Sequence, residues 1–437
     1  MPINMQKKFK KYLARLIEYS FYVFVFSFLW QTKLILRPAS SNFNEISLYF
    51  SHFLLLLILI EFFVYKLRFR GEEEPVSPLW LTLAGLELGI LFSFFFASDQ
   101  WLSFYFYVLF LSGIALFYLL REGHAAYDCD DPGVDKVKII YSFLASLFLQ
   151  ATLGIYQFLT QHAPANKYLG LALHDPNTLG TSVVEAVSGR WLRAYGGFDH
   201  PNIFGGVLAV ALVISAYLLA SRKVIRRKSD VVESLSLFIF HFVALFALFF
   251  SFSRAAWLAT IVGWLVLCVV LALKRDAWIF GRFLVLMFFS AVMVLIVVIP
   301  YQDLCRVRIE ATSRLENKSV TERLSYVQEA KELWSQNWVT GVGVGNYLLA
   351  LEKKASVKKA AWDYQPVHNV FLLLGAESGI FTVLFFVSFL FILITKNRRE
   401  VFAPALFATI LVLMLFDHWL ISLPFGIIFL FLILGLL

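Results

Sequence analysis

The chain has 437 residues, of which 60% are hydrophobic, 17% aromatic and only 16% charged. Soluble domains are near half apolar and a quarter charged, so this composition excludes a soluble globular protein and points to an integral membrane protein. The net charge of +8 would suit nucleic acid, but the basic residues flank apolar runs, where they act as topology signals and lipid-headgroup contacts.

Apolar runs fall near 16–30, 46–65, 78–97, 101–120, 138–159, 202–221, 235–253, 255–273, 280–300, 369–395, 401–420 and 423–437. They predict an all-α polytopic protein of about 12 transmembrane helices, at about 20 residues each, in a single membrane domain over 1–437. No cleavage site follows the first run, so it reads as a retained helix. Lys7, Lys8, Lys10, Lys11 and Arg15 hold the N-terminus inside. Alternation then places Lys66 to Arg70, Arg222 to Lys228, Lys274-Arg275 and Lys396 to Arg399 on that same side, with both termini cytoplasmic. Glu72-Glu73-Glu74 reads as a solvated inner loop, and Asp128, Asp130 and Asp131 lack calcium-loop spacing. Cys129, Cys268 and Cys305 fall in an inner loop, a span and an outer loop, which excludes a disulfide framework.

Two outer segments, 160–201 and 301–368, are long and rich in Trp, Tyr and Leu. Such loops are structured and form the expected catalytic face. The second carries a predicted helix from Thr321 to Trp334, capped by Thr321, with Leu324, Val327, Ala330, Leu333 and Trp334 on the face toward the span mouths. This arrangement presents Arg323. Gly341, Gly343 and Gly345 follow no strand, so they read as a tight turn and not a nucleotide loop. The eight histidines show no metal-ligand spacing, and no metal site is expected.

The residues that could carry chemistry lie on the outer side. Arg254 sits in a short turn between two apolar runs, at the hydrocarbon edge, and on the side that the charge rule disfavours. Arg193 and Arg323 add positive charge to that face, with Arg306, Arg308 and Arg314 as further candidates. Arginine presents a fixed fork of donors that matches phosphate oxygens. His368 is a candidate general base, because imidazole titrates near neutral pH. Asn369 follows it at a helix entrance, and Asp417-His418 forms a second polar pair near the outer end of the eleventh run. Glu377, just before Gly379, marks an expected helix break where polar groups line a cavity.

The chain resembles the O-antigen ligase and polymerase superfamily of bacterial membrane glycosyltransferases, which includes pilin-type O-oligosaccharyltransferases. Trp30 to Leu34 resembles the family's opening outer turn. Arg193-x-x-Gly196-x-Phe198-x-x-Pro201-Asn202, before a small-residue span, resembles its first outer-loop motif. Ser253-Arg254 with Trp257 resembles its Ser-Arg turn, and Arg323 through Gly345-Asn346-Tyr347 its large-loop helix and glycine turn. His368-Asn369-x-x-Leu372 with Glu377-x-Gly379 resembles the His-Asn signature, and Asp417-His418-Trp419 the closing motif. Trp338 stands where many relatives have proline, and the chain ends directly after the twelfth run, so no soluble tail is expected to add specificity.

The resemblance implies an inverting transfer, without metal or cofactor, from an undecaprenyl-pyrophosphate-linked glycan donor. The acceptor is the hydroxyl of a lipid A-core-like glycolipid, a glycan or a protein, at the outer face of the bacterial cytoplasmic membrane. By motif, Arg254 and Arg323, with Arg193, hold the pyrophosphate, and His368 serves as base or orients the acceptor. Asn369, Glu377 and Asp417 are possible supports. Membrane lipids are the remaining partners, and nucleic acid is not one. A ligase-like reading leads, with polymerase and protein oligosaccharyltransferase as alternatives. A polysaccharide or polyprenyl-lipid transporter is the rival from another class, disfavoured because the polar groups cluster on one side only. A structural scaffold would explain neither Arg254 nor the outer loops.

Overall fold

The computed structural model describes residues 3–39, 44–69, 77–122, 134–222, 228–310, 314–355 and 364–437. The chain opens with α1 (Ile3–Ser27), a hairpin of β1 (Lys33–Arg37) and β2 (Ile46–Tyr49), and α2 (Phe50–Arg68). Next come α3 (Pro78–Phe94), α4 (Gln100–Glu122) and α5 (Lys136–Thr160). A second hairpin, β3 (Val183–Ala186) with β4 (Gly189–Leu192), fills the first long loop. After it run α6 (Pro201–Ser221), α7 (Lys228–Phe250), α8 (Arg254–Lys274) and α9 (Ala277–Val298). The second long loop holds α10 (Gln302–Glu310), α11 (Arg314–Gln336) and α12 (Tyr347–Lys354). The chain closes with α13 (Val370–Asn397), α14 (Ala403–Phe416), α15 (Trp419–Ser422) and α16 (Pro424–Leu436).

The protein is an all-α polytopic membrane protein. Among the described residues eight helices are long and apolar enough to cross a membrane, and α3, α14 and α16 are apolar but shorter. Glu72 to Glu74, Asp128 to Asp131 with Cys129, Arg70 and most of the Arg222–Lys228 cluster lie outside the described residues. Cys268 and Cys305 are free thiols.

The second apolar run differs from its expectation. It begins as strand β2 and turns helical only at Phe50. The helix of the second long loop is also longer than its apolar pattern. It starts at Arg314, so Thr321 is interior and returns its hydroxyl to the Asn317 carbonyl. Leu324 is exposed, and the packed face is Tyr326, Ala330, Leu333 and Trp334. Trp334 lies against Gly375, which docks α11 on α13.

α6 and α16 are buried almost throughout and form the centre, as expected of helices apolar all round. α6 starts where Pro201 occupies its first turn and His200 caps it, the ring Nδ1 accepting from the Asn202 N–H. Its small residues matter for the site. At Gly205 a Cβ would meet Ser251 and Ser253 at 2.9 Å, and at Gly206 it would meet Trp419 at 2.7 Å. The glycines therefore let the α7–α8 turn and Trp419 close onto α6 from two sides.

α13 is broken at Gly379, whose φ of 78° and ψ of 174° interrupt the helix, as the sequence predicted. The freed backbone groups are satisfied by residues 338–343. Val342 N–H donates to Ala376 O, Gly343 N–H to Glu377 O, and Ile380 N–H to Trp338 O, at 2.8–3.0 Å. Gly341 takes φ of 66° with no room for a Cβ beside Glu377 O. The glycine-rich stretch is thus the tight turn expected of it, fitted into the helix break.

Candidate active site

The site forms at one end of the bundle, where α6, α8 and α13 begin and α7 and α14 end. Its first part is the short α7–α8 turn. Ser253 caps α8 by accepting from Ala256 N–H. Phe252 takes a left-handed φ of 47°, uncommon for a bulky residue. That conformation turns successive carbonyls outward, and each finds a donor. Ala194 N–H donates to Phe250 O at 2.9 Å. Arg193 Nε donates to Ser251 O at 2.7 Å, and Arg308 Nε to Phe252 O at 2.8 Å. Arg254 Nη1 donates to Arg308 O at 3.3 Å. Three arginines that are far apart in sequence are thereby gathered on one turn. Arg193 and Arg308 are buried, at 5% and 7% exposure, and Arg193 Nη2 also donates to Asn202 Oδ1 at 2.7 Å. Arg306 pairs with Glu310 in solvent and Arg314 is exposed, so neither joins the cluster.

The second part is a histidine cluster. His368 precedes α13, and Asp417 and His418 link α14 to α15. The rings of His368 and His418 meet edge-on with centroids 5.0 Å apart, and Tyr326 of α11 lies parallel to His368 at 6.1 Å. His418 Nδ1 bonds Ser422 Oγ at 2.6 Å. His368 Nδ1 is buried with no partner in strict hydrogen-bond geometry, while the Pro366 backbone lies close enough to act on the ring. Such an atom calls for a physical explanation, a catalytic role or a bound water or ion among them.

Charge in the cluster follows from burial. Burial, helped by His418 and Arg323, pushes the His368 imidazole down to about 3. His418 is lowered too, by burial and Arg323 against the pull of Asp417. For Asp417 burial alone would raise the carboxyl, but His368 and His418 outweigh it and hold it below the usual range. The three groups are thus electrostatically coupled, the imidazoles pushed toward the neutral form and the carboxyl toward the ionised one, and Arg323 acts on both rings.

His200 joins this group, and no sequence signal had singled it out as a site residue. Its Nδ1 accepts at the α6 cap, so its Nε2 carries the proton and donates to Ser182 Oγ at 2.8 Å. Burial and Arg193 push it down to about 3, and the charges of His368, His418 and Asp417 reach it. His200 therefore lies beside the arginine turn, through Asn202 and Arg193, and within electrostatic range of the histidine cluster. The clue available was position: His200 directly precedes Pro201 at a helix start.

Two expected supports have structural work. Asn369 caps α13, its Oδ1 accepting from Leu372 N–H, and its Nδ2 donates to Leu415 O. Glu377 is not part of the histidine cluster. It is buried under the glycine turn and accepts from Tyr347 N–H at 3.3 Å. The expected cavity-lining role is thus replaced by closure of the helix break.

The arrangement offers a buried imidazole, a carboxylate able to stabilise its protonated form, and arginine side chains gathered on a neighbouring turn. The family model for O-Antigen ligase matches residues 239–387, from the middle of α7 to the middle of α13. That stretch includes Arg254, Arg308, Arg323 and His368, while Arg193, His200 and Asp417 lie outside it. Comparison with curated proteins gives no match. The matched stretch supports membership of the O-antigen ligase superfamily for this polytopic membrane protein.

Proposed function

We propose that the protein moves a glycan from an undecaprenyl-pyrophosphate carrier to an acceptor hydroxyl, in the manner of an O-antigen ligase. The site faces outward from the bacterial cytoplasmic membrane, with both termini inside. The observation that carries this reading is the buried Nδ1 of His368, outside strict hydrogen-bond geometry with any described group, in a ring that packs on His418 and feels both Asp417 and Arg323. The acceptor O–H donates to that nitrogen as its oxygen attacks the anomeric carbon from the face opposite the carrier, giving inversion. The bond from the anomeric carbon to the pyrophosphate oxygen breaks, and its electron pair leaves with the pyrophosphate. Arg254, Arg323 and Arg193 offset the charge that develops there. Asp417 stabilises the imidazolium until the proton passes to solvent. A polymerase or protein oligosaccharyltransferase would share all of this and differ in the acceptor.

The depressed His368 has a consequence for pH. Its base form is the neutral one, and lowering to about 3 keeps it neutral across the physiological range. kcat/KM is expected to be flat between about pH 5 and 8, falling only in stronger acid. An inflection near the ordinary histidine value would count against His368 as the base.

A second reading has its own observation. His368, Asp417 and His418 bring ligand-type atoms within 4.8 Å of one another, close enough for one shared cation. The positive charge of Arg323 opposes it. Both readings meet one test. Purified protein in liposomes is given an undecaprenyl-pyrophosphate-linked glycan and an acceptor glycolipid, with and without a chelator. Acceptor-dependent release of the carrier, indifferent to chelator, is expected. No release sinks the transfer reading. Release lost on chelation and restored by a divalent metal makes the trio a metal centre.

A further inference from the structure

A second polar group of side chains lies at the end of the bundle opposite the histidine cluster, where α6 ends and α5 and α7 begin. Arg222 follows the last turn of α6. Arg282 of α9 fixes its backbone, donating to the Arg222 carbonyl and, at 2.9 Å, to the Leu219 carbonyl. The Arg222 guanidinium pairs with Glu233 Oε2 from α7, and Tyr141 of α5 donates its hydroxyl to Glu233 Oε1. Four helices thus meet around one ion pair. An acid inside a membrane-crossing helix is costly, and its place calls for a partner or a function.

Two features exceed what a tie between helices needs. Arg222 Nη1 is buried with no hydrogen-bond partner among the described residues. The Glu233 side chain, by contrast, is 44% exposed and lines the head of a groove of about 440 Å³ between α5 and α7. Beyond that head the walls are apolar, with Leu144, Ala145 and Phe148 from α5 and Leu237 and Phe240 from α7. Ser236 also lines the groove but turns its hydroxyl back to the Val232 carbonyl, so the free polar groups are confined to the head. From Glu233 to Phe240 the wall runs roughly 10 Å along the helix. The groove is a hydrocarbon slot under a charged head.

The charges select the occupant. Arg222 and Glu233 are opposite and side by side, so the head of the groove is a dipole and carries no net charge. An anionic headgroup gains from Arg222 and is repelled by Glu233. A zwitterion laid antiparallel to the pair gains at both ends, with phosphate oxygens on the arginine fork and an ammonium on the exposed carboxylate. A primary ammonium donates N–H bonds to that carboxylate, and a quaternary one has no proton to donate. We propose that the groove holds one phospholipid with a primary ammonium headgroup, of the phosphatidylethanolamine class, with an acyl chain between α5 and α7. The site is separate from the transfer reading above and does not depend on it.

The test uses the full chain in phosphatidylcholine vesicles with a trace of phosphatidylethanolamine carrying a photoreactive acyl chain. Label is expected on α5 or α7 at the groove. Unlabelled phosphatidylethanolamine should suppress it about tenfold better than phosphatidylglycerol or further phosphatidylcholine, the worth of one charge-assisted hydrogen bond. Ala145→Trp fills the slot from an exposed position and leaves the ion pair intact, and it should abolish the label. Phe238→Trp, on the other side of α7, should label like wild type. Glu233→Gln should erase the preference over phosphatidylglycerol, and its melting temperature in detergent reports separately on the fold. Equal suppression by all three lipids means that the groove holds bulk bilayer lipid. Stronger suppression by phosphatidylglycerol means that Arg222 alone holds an anionic head. Either result overturns the proposal, as does label confined to other helices or an undiminished label in Ala145→Trp.

Discussion

His368→Ala is expected to lower glycan transfer by roughly 10²–10⁴-fold, the usual contribution of a general base, with insertion and thermal stability close to wild type. One ring nitrogen of the side chain lies outside strict hydrogen-bond geometry, so removing it costs the fold little. In the native host the variant should accumulate carrier-linked glycan, and the length of that glycan identifies the reaction. Long finished chains indicate a ligase, and single repeats a polymerase. Unchanged carrier pools and surface glycan, with the protein present in the membrane, would make His368 structural and return transport to consideration. A fall of only a few-fold would favour an orienting role over proton removal.

Gly379→Ala is expected to act through the fold. Position 379 has φ of 78° and ψ of 174°, a region open essentially only to glycine, and a Cβ there would stand 1.9 Å from Val339 O. Neither strain can relax alone, because Ile380 N–H is bonded to Trp338 O on the segment that would have to retreat. Strain plus overpacking comes to on the order of 3 kcal/mol. The measurable result is a lower melting temperature in detergent, with activity lost through displacement of α11 and its Arg323 and Tyr326. A variant melting like wild type and fully active would show that the break is not rigidly held.

How much was legible depends on whether a signal is local. Apolar runs report helices directly, because a helix buried in bilayer or bundle must be apolar over its length. Arg254 was conspicuous for the same reason, as a charge between two such runs. The break at Gly379 showed as a glycine after a lone acid in an apolar segment. The hairpins did not show, since strands of four or five residues give too few alternations to stand out. Thr321 was misread as a cap because the first turns of α11 are polar and carry no apolar period. The cluster itself was only partly visible. That His418 meets His368, or that Arg308 shares a turn with Arg193, depends on contacts spanning many residues of chain, with no trace in local spacing. Glu377 shows the reverse error, a polar residue whose partner proved to be backbone.

The three backbone hydrogen bonds between residues 338–343 and the broken helix also bear on how substrates arrive. Many enzymes admit a ligand by swinging a loop aside as a lid. Here the stem of the large loop is stitched to α13 in the way one strand is stitched to another, and swinging it open would strand three donors and three acceptors at once. The stem is therefore a fixed edge of the site, and a change of shape in the large loop has to take place away from residues 338–343.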